Sequence, residues 1–110
     1  DVIKDRKKPS TLLYFSDHGE EVYDSIDFAG HPANGTFSYN MIEIPFLFWT
    51  SENDKLSNDY LARKFSLNDL SHSMADLYGI RSAEIDTTRS VFHKSFVERQ
   101  RVVWDTIKVK

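Results

Sequence analysis

Apolar residues fall in short bursts along this chain, and each burst has a clear boundary. Leu12-Leu13-Tyr14-Phe15 is a compact run bounded by Pro9-Ser10 before it and Gly19 after it, and it predicts a strand. Ile44 to Trp49 is almost wholly apolar, which predicts a second strand of the kind that helices cover on both faces. Pro45 has no N–H to give to a ladder, so it belongs at the start of that strand or on an edge. Between the two runs, Glu21 to Met41 shows no clear period and carries Gly30, Pro32, Asn34 and Gly35. It reads as a long loop with a tight turn at Asn34-Gly35, and loops of about 20 residues inside compact domains are usually functional or disordered.

Helical spacing appears further on. Ser57 can cap a first helix with Tyr60, Leu61 and Phe65 as apolar positions. Ser66 with Asp69 three residues on resembles a capping box, and Leu67, Leu70, Met74 and Leu77 make one apolar stripe. Gly79 is placed to stop this second helix in the left-handed conformation, and His72 beside the stripe reads as structural. Asp1 to Ser10, with Lys4, Arg6, Lys7 and Lys8 before Pro9, reads as a solvated helix end. Arg89 to Val97 is a strand or an irregular segment with His93 at the surface. Val102 to Lys110 alternates towards its end and predicts a closing strand.

Composition narrows the picture. A length of 110 residues suits one small domain, and 40% hydrophobic with 14% aromatic residues suffices for a core. The formal charge of −3 argues against a nucleic-acid binder. No cysteine means no disulfide framework, no thiolate metal site and no thiol nucleophile. No apolar run approaches the length of a membrane span.

The chemistry is concentrated at Ser16-Asp17-His18-Gly19-Glu20-Glu21, directly after the first strand. Asp17 offers a hard oxygen and His18 an imidazole from one rigid point, two of the roughly four ligands that zinc takes. Gly19 lets the backbone turn sharply or approach a ligand closely. Glu21, Asp24 and Asp27 extend an acidic stretch that reads either as a solvated loop or as a field attractive to a divalent cation.

The order of YFSDHGEEVYD, then Gly30-His31, then EIPFLFW resembles the alkaline-phosphatase/sulfatase superfamily, and within it the membrane-anchored phosphoethanolamine transferases of Gram-negative bacteria. The resemblance covers roughly Ser10 to Ile80. It implies an α/β fold, the carboxyl-terminal portion of an alkaline-phosphatase-like sheet with flanking helices, with residues 1–110 forming one fragment of a sulfatase-like catalytic domain. It gives Asp17 and His18 the role of Zn²⁺ ligands and His31 a contact to the phosphoryl group or to a second metal, of which phosphoryl contact or proton donation to the leaving oxygen is preferred. Glu20 reads either as orienting the turn or a ligand imidazole, or as a first-turn acid stabilising a helix amino terminus. It implies transfer of phosphoethanolamine from phosphatidylethanolamine to a lipopolysaccharide or periplasmic glycan acceptor. A threonine upstream of these residues would be the covalent carrier, since none of Thr11, Thr36, Thr50, Thr87, Thr88 or Thr106 stands in that context. Amino-terminal helices outside the chain would anchor it in the inner membrane with the catalytic part in the periplasm. The chain alone is expected to be inactive, to bind metal weakly and to self-associate through open strand edges. A sulfatase or phosphodiesterase of the same superfamily is the enzymatic alternative, and a non-catalytic interaction domain on the same scaffold is the other.

Overall fold

The computed structural model describes residues 8–31, 35–52, 58–104 and 107–109. The expected basic helix end before Lys8, the Ser57 cap and the Asn34 half of the predicted turn lie outside these residues. The chain divides into two compact units, Asp1–Lys55 and Leu56–Lys110, each taken here by itself.

In the first unit, strand β1 (Thr11–Phe15) pairs antiparallel with the later strand Phe46–Thr50. Between them come β2 (Glu21–Val22) and β3 (Ala29–Gly30), a short antiparallel hairpin, and a 3-10 turn at Tyr39–Met41; Phe46–Thr50 is therefore β4. Register places Leu13 opposite Phe48 and Phe15 opposite Phe46, whose rings lie 6.1 Å apart. Ser10 and Ser51 extend the ladder, with the Ser51 amide donating to the Ser10 carbonyl at 2.9 Å. Pro45 stands just before β4, where its missing N–H costs nothing.

The expectation that both faces of β4 are covered is corrected by the structure. Successive side chains of a strand point to opposite faces, and Leu47 is 58% exposed beside Tyr14 at 56%. Identical hydrophobicity at successive positions shows that both faces are apolar, but not that both are covered within this chain. The predicted long loop is also more ordered than its lack of period suggested. It holds the β2–β3 hairpin, whose two-residue strands are too short to show alternation.

Among the described residues, the second unit has one α-helix, α1 (Leu70–Leu77), entered through a 3-10 turn at Leu67–Asp69. The first predicted helix appears as a five-residue 3-10 segment, Asn58–Ala62. The end of α1 is as the sequence foretells. Gly79 takes φ +69, its N–H donates to the Asp76 carbonyl at 3.1 Å, and the Ile80 N–H reaches back to Ala75 at 2.8 Å. That pair of bonds is the Schellman arrangement, and it satisfies carbonyls the helix would otherwise leave open.

The start of α1 differs from the expectation. Ser66 accepts from the Asn68 amide at 3.4 Å, but Asp69 does not return the bond. Its buried carboxylate instead pairs with Arg89, whose Nε donates at 2.7 Å. The predicted stripe Leu67, Leu70, Met74 and Leu77 is half-buried, while the fully buried positions of α1 are the small residues Ser73 and Ala75. Ser73 accepts from the Val91 amide at 3.0 Å, and Asp76 accepts from Ser90 Oγ at 2.9 Å. Small side chains let this irregular segment approach the helix closely and hydrogen-bond to it. Arg63 holds the same segment, donating to the Val91 and His93 carbonyls at 2.6 and 2.7 Å.

His93 is half-buried rather than at the surface, with Nδ1 2.6 Å from Ser95 Oγ. His72 Nδ1 accepts from the Asp86 amide at 3.2 Å, a structural role as read. The predicted closing strand is instead a hairpin of β5 (Arg101–Val103) and β6 (Ile107–Val109). Trp104 takes φ 50 between them and breaks the run.

Candidate metal and phosphate site

The turn after β1 carries Asp17 and His18, both exposed, as expected of residues that meet a ligand at the end of a strand. Three contacts shape it. Ser16 Oγ donates to the His18 carbonyl at 2.8 Å, the Asp17 carboxylate accepts from the His18 amide at 3.1 Å, and His18 Nδ1 lies 2.7 Å from the Gly19 carbonyl. A carbonyl can only accept, so Nδ1 carries the proton and donates it. That fixes the tautomer and leaves the Nε2 lone pair free, the state of a metal-ligating histidine whose other ring N–H is held by a backbone carbonyl. His18 Nε2 stands 3.9 Å from Asp17 Oδ1, so one cation could touch both.

The hairpin brings a second imidazole to the same place. Glu21 pairs with Gly30 and Val22 with Ala29, so the next step of the register sets His31 across from Glu20. His31 Nε2 comes within 3.2 Å of His18 Nδ1, and the rings meet edge to face with centroids 4.8 Å apart. Thirteen residues separate the two in sequence; six bridging residues of hairpin turn, held by the Tyr23 N–H to Phe28 carbonyl bond at 3.0 Å, close the gap. Glu20 lies in the same corner, since a Cβ built on Gly30 would come 3.9 Å from Glu20 Oε1. Asp17, His18, Glu20 and His31 are thus gathered on one turn and one hairpin.

The donor set fits part of a zinc site. A carboxylate oxygen and a tautomer-fixed imidazole are suitable ligands, but among the described residues no group of three or more His, Cys, Asp or Glu could hold a metal ion. Zinc would need further ligands from elsewhere.

What sequence reading missed is how the hairpin is held. Glu21, one of the acids read either as a solvated loop or as a cation-attracting field, is fully buried. Its carboxylate accepts from the Ser25 amide at 2.7 Å, Ser25 Oγ at 2.6 Å and Asn40 Nδ2 at 3.2 Å. The Ser25 donors, its hydroxyl foremost, pull the carboxyl from an ordinary 4.5 down to about 2. No local signal marked it, because Glu20 lies outside the two-residue strand β2 and the partner Asn40 is nineteen residues on.

This predicts a pH dependence. A carboxyl whose folded value is depressed stabilises the fold fully above its unfolded value, and that contribution is lost as pH falls from about 4.5 towards 2. Glu21→Gln should therefore be less stable than the wild type at pH 7, with the gap closing over that window in urea titrations. A gap that stays constant from pH 7 to pH 2 would show that the carboxylate's charge is not what matters.

Comparison with known proteins gives the family and the fold. The Sulfatase family model matches residues 3–80. The chain belongs to the sulfatase family. It is 40% identical over 119 aligned positions to phosphoethanolamine transferase EptC of Escherichia coli, covering 97% of this chain and 20% of that protein. Phosphoethanolamine transferase CptA of Salmonella typhimurium is 38% identical, over 88% of this chain and 18% of its own length. The chain therefore spans about a fifth of the length of these curated relatives. Among solved structures, the C-terminal periplasmic domain of EptC from Escherichia coli matches with a TM-score of 0.77 and 36% identity, over 88% of this chain and 32% of that domain. The same domain in complex with zinc matches at a TM-score of 0.74 and 39% identity, over 82% and 27% of the two chains. The fold is thus part of an alkaline-phosphatase-like α/β domain, as the sulfatase-family resemblance implied. Among the described residues no helix is long and apolar enough to cross a membrane.

Proposed function

We propose that this chain contributes part of the catalytic centre of a zinc-dependent phosphoethanolamine transferase. The whole protein would move phosphoethanolamine from phosphatidylethanolamine to a lipopolysaccharide or periplasmic glycan, with this part in the periplasm and the anchor in the inner membrane. The observation that carries the reading is the meeting of His18 and His31 at 3.2 Å beside Asp17. Asp17 and His18 Nε2 would hold Zn²⁺, which when bound supplies Lewis-acid neutralisation of phosphoryl oxygen charge. His31 would contact the phosphoryl group or give a proton to the departing oxygen. Glu20 would orient the turn or the His18 imidazole, and a threonine outside these residues would be the nucleophile. The names of relatives 40% and 38% identical favour the transferase over a sulfate-ester hydrolase of the same family.

Calorimetric zinc titration of the whole protein and of the full chain, each with and without His18→Ala, tests this. The whole protein should bind tightly and the chain weakly. His18→Ala should weaken both by more than the roughly 10–100-fold that loss of an outer-shell partner costs. Unchanged affinity of the whole protein after His18→Ala would reduce Asp17-His18 to a turn and end the reading.

A further inference from the structure

The second unit gathers basic side chains around a cavity that the histidine turn does not use. The space, about 250 Å³, is lined among others by Lys64, Asp69, Arg89, Phe96, Arg99 and Arg101. Four cations face Asp69 on the lining and Asp86 behind Arg99, which leaves +2 around the cavity in a chain whose formal total is −3. Surface cations normally spread apart, because like charges close together repel. Here three segments distant in sequence bring them to one hollow.

Two of these groups are pinned rather than free to swing away. Arg89 is clasped by Asp69 through Nε and one amino group, which leaves its other amino group unspent. Arg99 donates to the Thr88 and Val97 carbonyls at 3.0 and 3.1 Å, to Thr88 Oγ1 at 2.7 Å and to the Asp86 carboxylate at 3.3 Å. Its planar head is therefore fixed in place beside the cavity. Lys64 is exposed, and its ammonium has no partner among the described residues. A pinned guanidinium loses little freedom when it meets an anion, which favours binding over an equally charged but mobile surface. Phe96, braced by the Arg63 guanidinium 5.3 Å from its ring centre, gives the cavity an apolar wall. Positive donors on one side and an aromatic ring on the other suit an anionic group attached to carbon.

We propose that this cavity is a binding site for a phosphate group, borne either by a soluble phosphate ester or by a lipid headgroup. All its residues lie between Lys64 and Val102, none is shared with the histidine turn, and the proposal does not rest on the transferase reading. Lys64 and the open arm of Arg89 supply the donors, and the fixed charge of Arg99 holds the phosphate in the hollow.

The test uses the full chain carrying His18→Ala and His31→Ala, so that phosphate cannot be read at the histidine turn. Titration with inorganic phosphate, followed by amide NMR shifts, should saturate with the shifts confined to residues around the cavity. Lys64→Gln on that background should weaken binding about tenfold, the loss expected for one charged hydrogen bond. Lys64 is exposed, so this variant keeps its fold. Glycerol phosphate and vesicles of phosphatidylglycerol then separate the sources. Binding of the ester without the vesicles gives a soluble ligand, and vesicle binding displaced by phosphate gives a lipid headgroup. Absence of saturation at millimolar phosphate, or affinity indifferent to Lys64→Gln, would overturn the site.

Discussion

Replacing Gly19 with alanine is expected to destabilise the first unit by about 3 kcal/mol or more. A Cβ at Gly19 would stand 2.0 Å from the Asn40 carbonyl oxygen and 2.6 Å from that of Glu43. Both are backbone atoms, one in the 3-10 turn Tyr39–Met41 and the other just after it. That approach is fixed by the Gly19 N–H, which donates to the Met41 carbonyl at 3.1 Å. Neither atom can rotate away as a side chain would. Gly19 itself does not have a positive φ, unlike Gly30, Gly35 and Gly79. The demand on it is therefore steric and not conformational.

Gly35→Ala makes the control. That residue has φ +76 but nothing within 4 Å of a built Cβ, so alanine there should cost only the roughly 1 kcal/mol of a left-handed backbone. Urea denaturation of the two variants checks the ranking. Equal losses, or a harmless Gly19→Ala, would mean that the 3-10 turn shifts freely and does not support His18. The expected collateral effect is weaker zinc binding in the whole protein carrying Gly19→Ala, because the Gly19 carbonyl orients the His18 ring.

Gly19 also shows where sequence reading stops. A glycine after a strand and beside an Asp-His pair announces a sharp turn or a close approach, and the close approach is real. What it approaches is the chain's own backbone near Asn40, which no local pattern reveals, because the partner lies some twenty residues on in a segment without period. The same holds for Glu21. As one of a run of acids it reads as a solvated loop or a cation-attracting field, yet its environment is set by Ser25 and by the distant Asn40. Asp69 was legible as a helix-start acid from its spacing to Ser66, but Arg89 offers it a charged partner and wins. Strands β1 and β4, the helix stop at Gly79 and the closeness of Asp17 to His18 were legible because each depends on neighbours in sequence. The meeting of His18 with His31 was legible only through the family resemblance. Two-residue strands carry too little alternation to predict a hairpin on their own.

His31→Ala should lower transfer by the whole protein about 10²–10⁴-fold, the range for loss of a positioned proton donor or phosphoryl contact, while leaving zinc affinity nearly intact. The reason lies in the hydrogen bonds of His18. Its Nδ1 proton faces the Gly19 carbonyl at 2.7 Å, a shorter contact than the 3.2 Å to His31 Nε2. The carbonyl therefore keeps the His18 tautomer, and the Nε2 lone pair stays available, when the His31 ring is removed. The hairpin should also survive, since its pairing and the buried Glu21 contacts involve no atom of the His31 side chain. The loss should then fall on kcat rather than on metal loading. Zinc affinity falling in step with activity would make His31 a metal ligand, and the position of its Nε2 against the back of the His18 ring would have to change on metal binding. An unchanged rate would leave the 3.2 Å approach as a contact between surface rings. Because the turn and the hairpin meet through backbone pairing, His31→Gln is the matching control. It restores a hydrogen-bonding side chain without a titrating group, so recovery of substrate binding without recovery of rate would assign proton transfer, and not orientation, to His31.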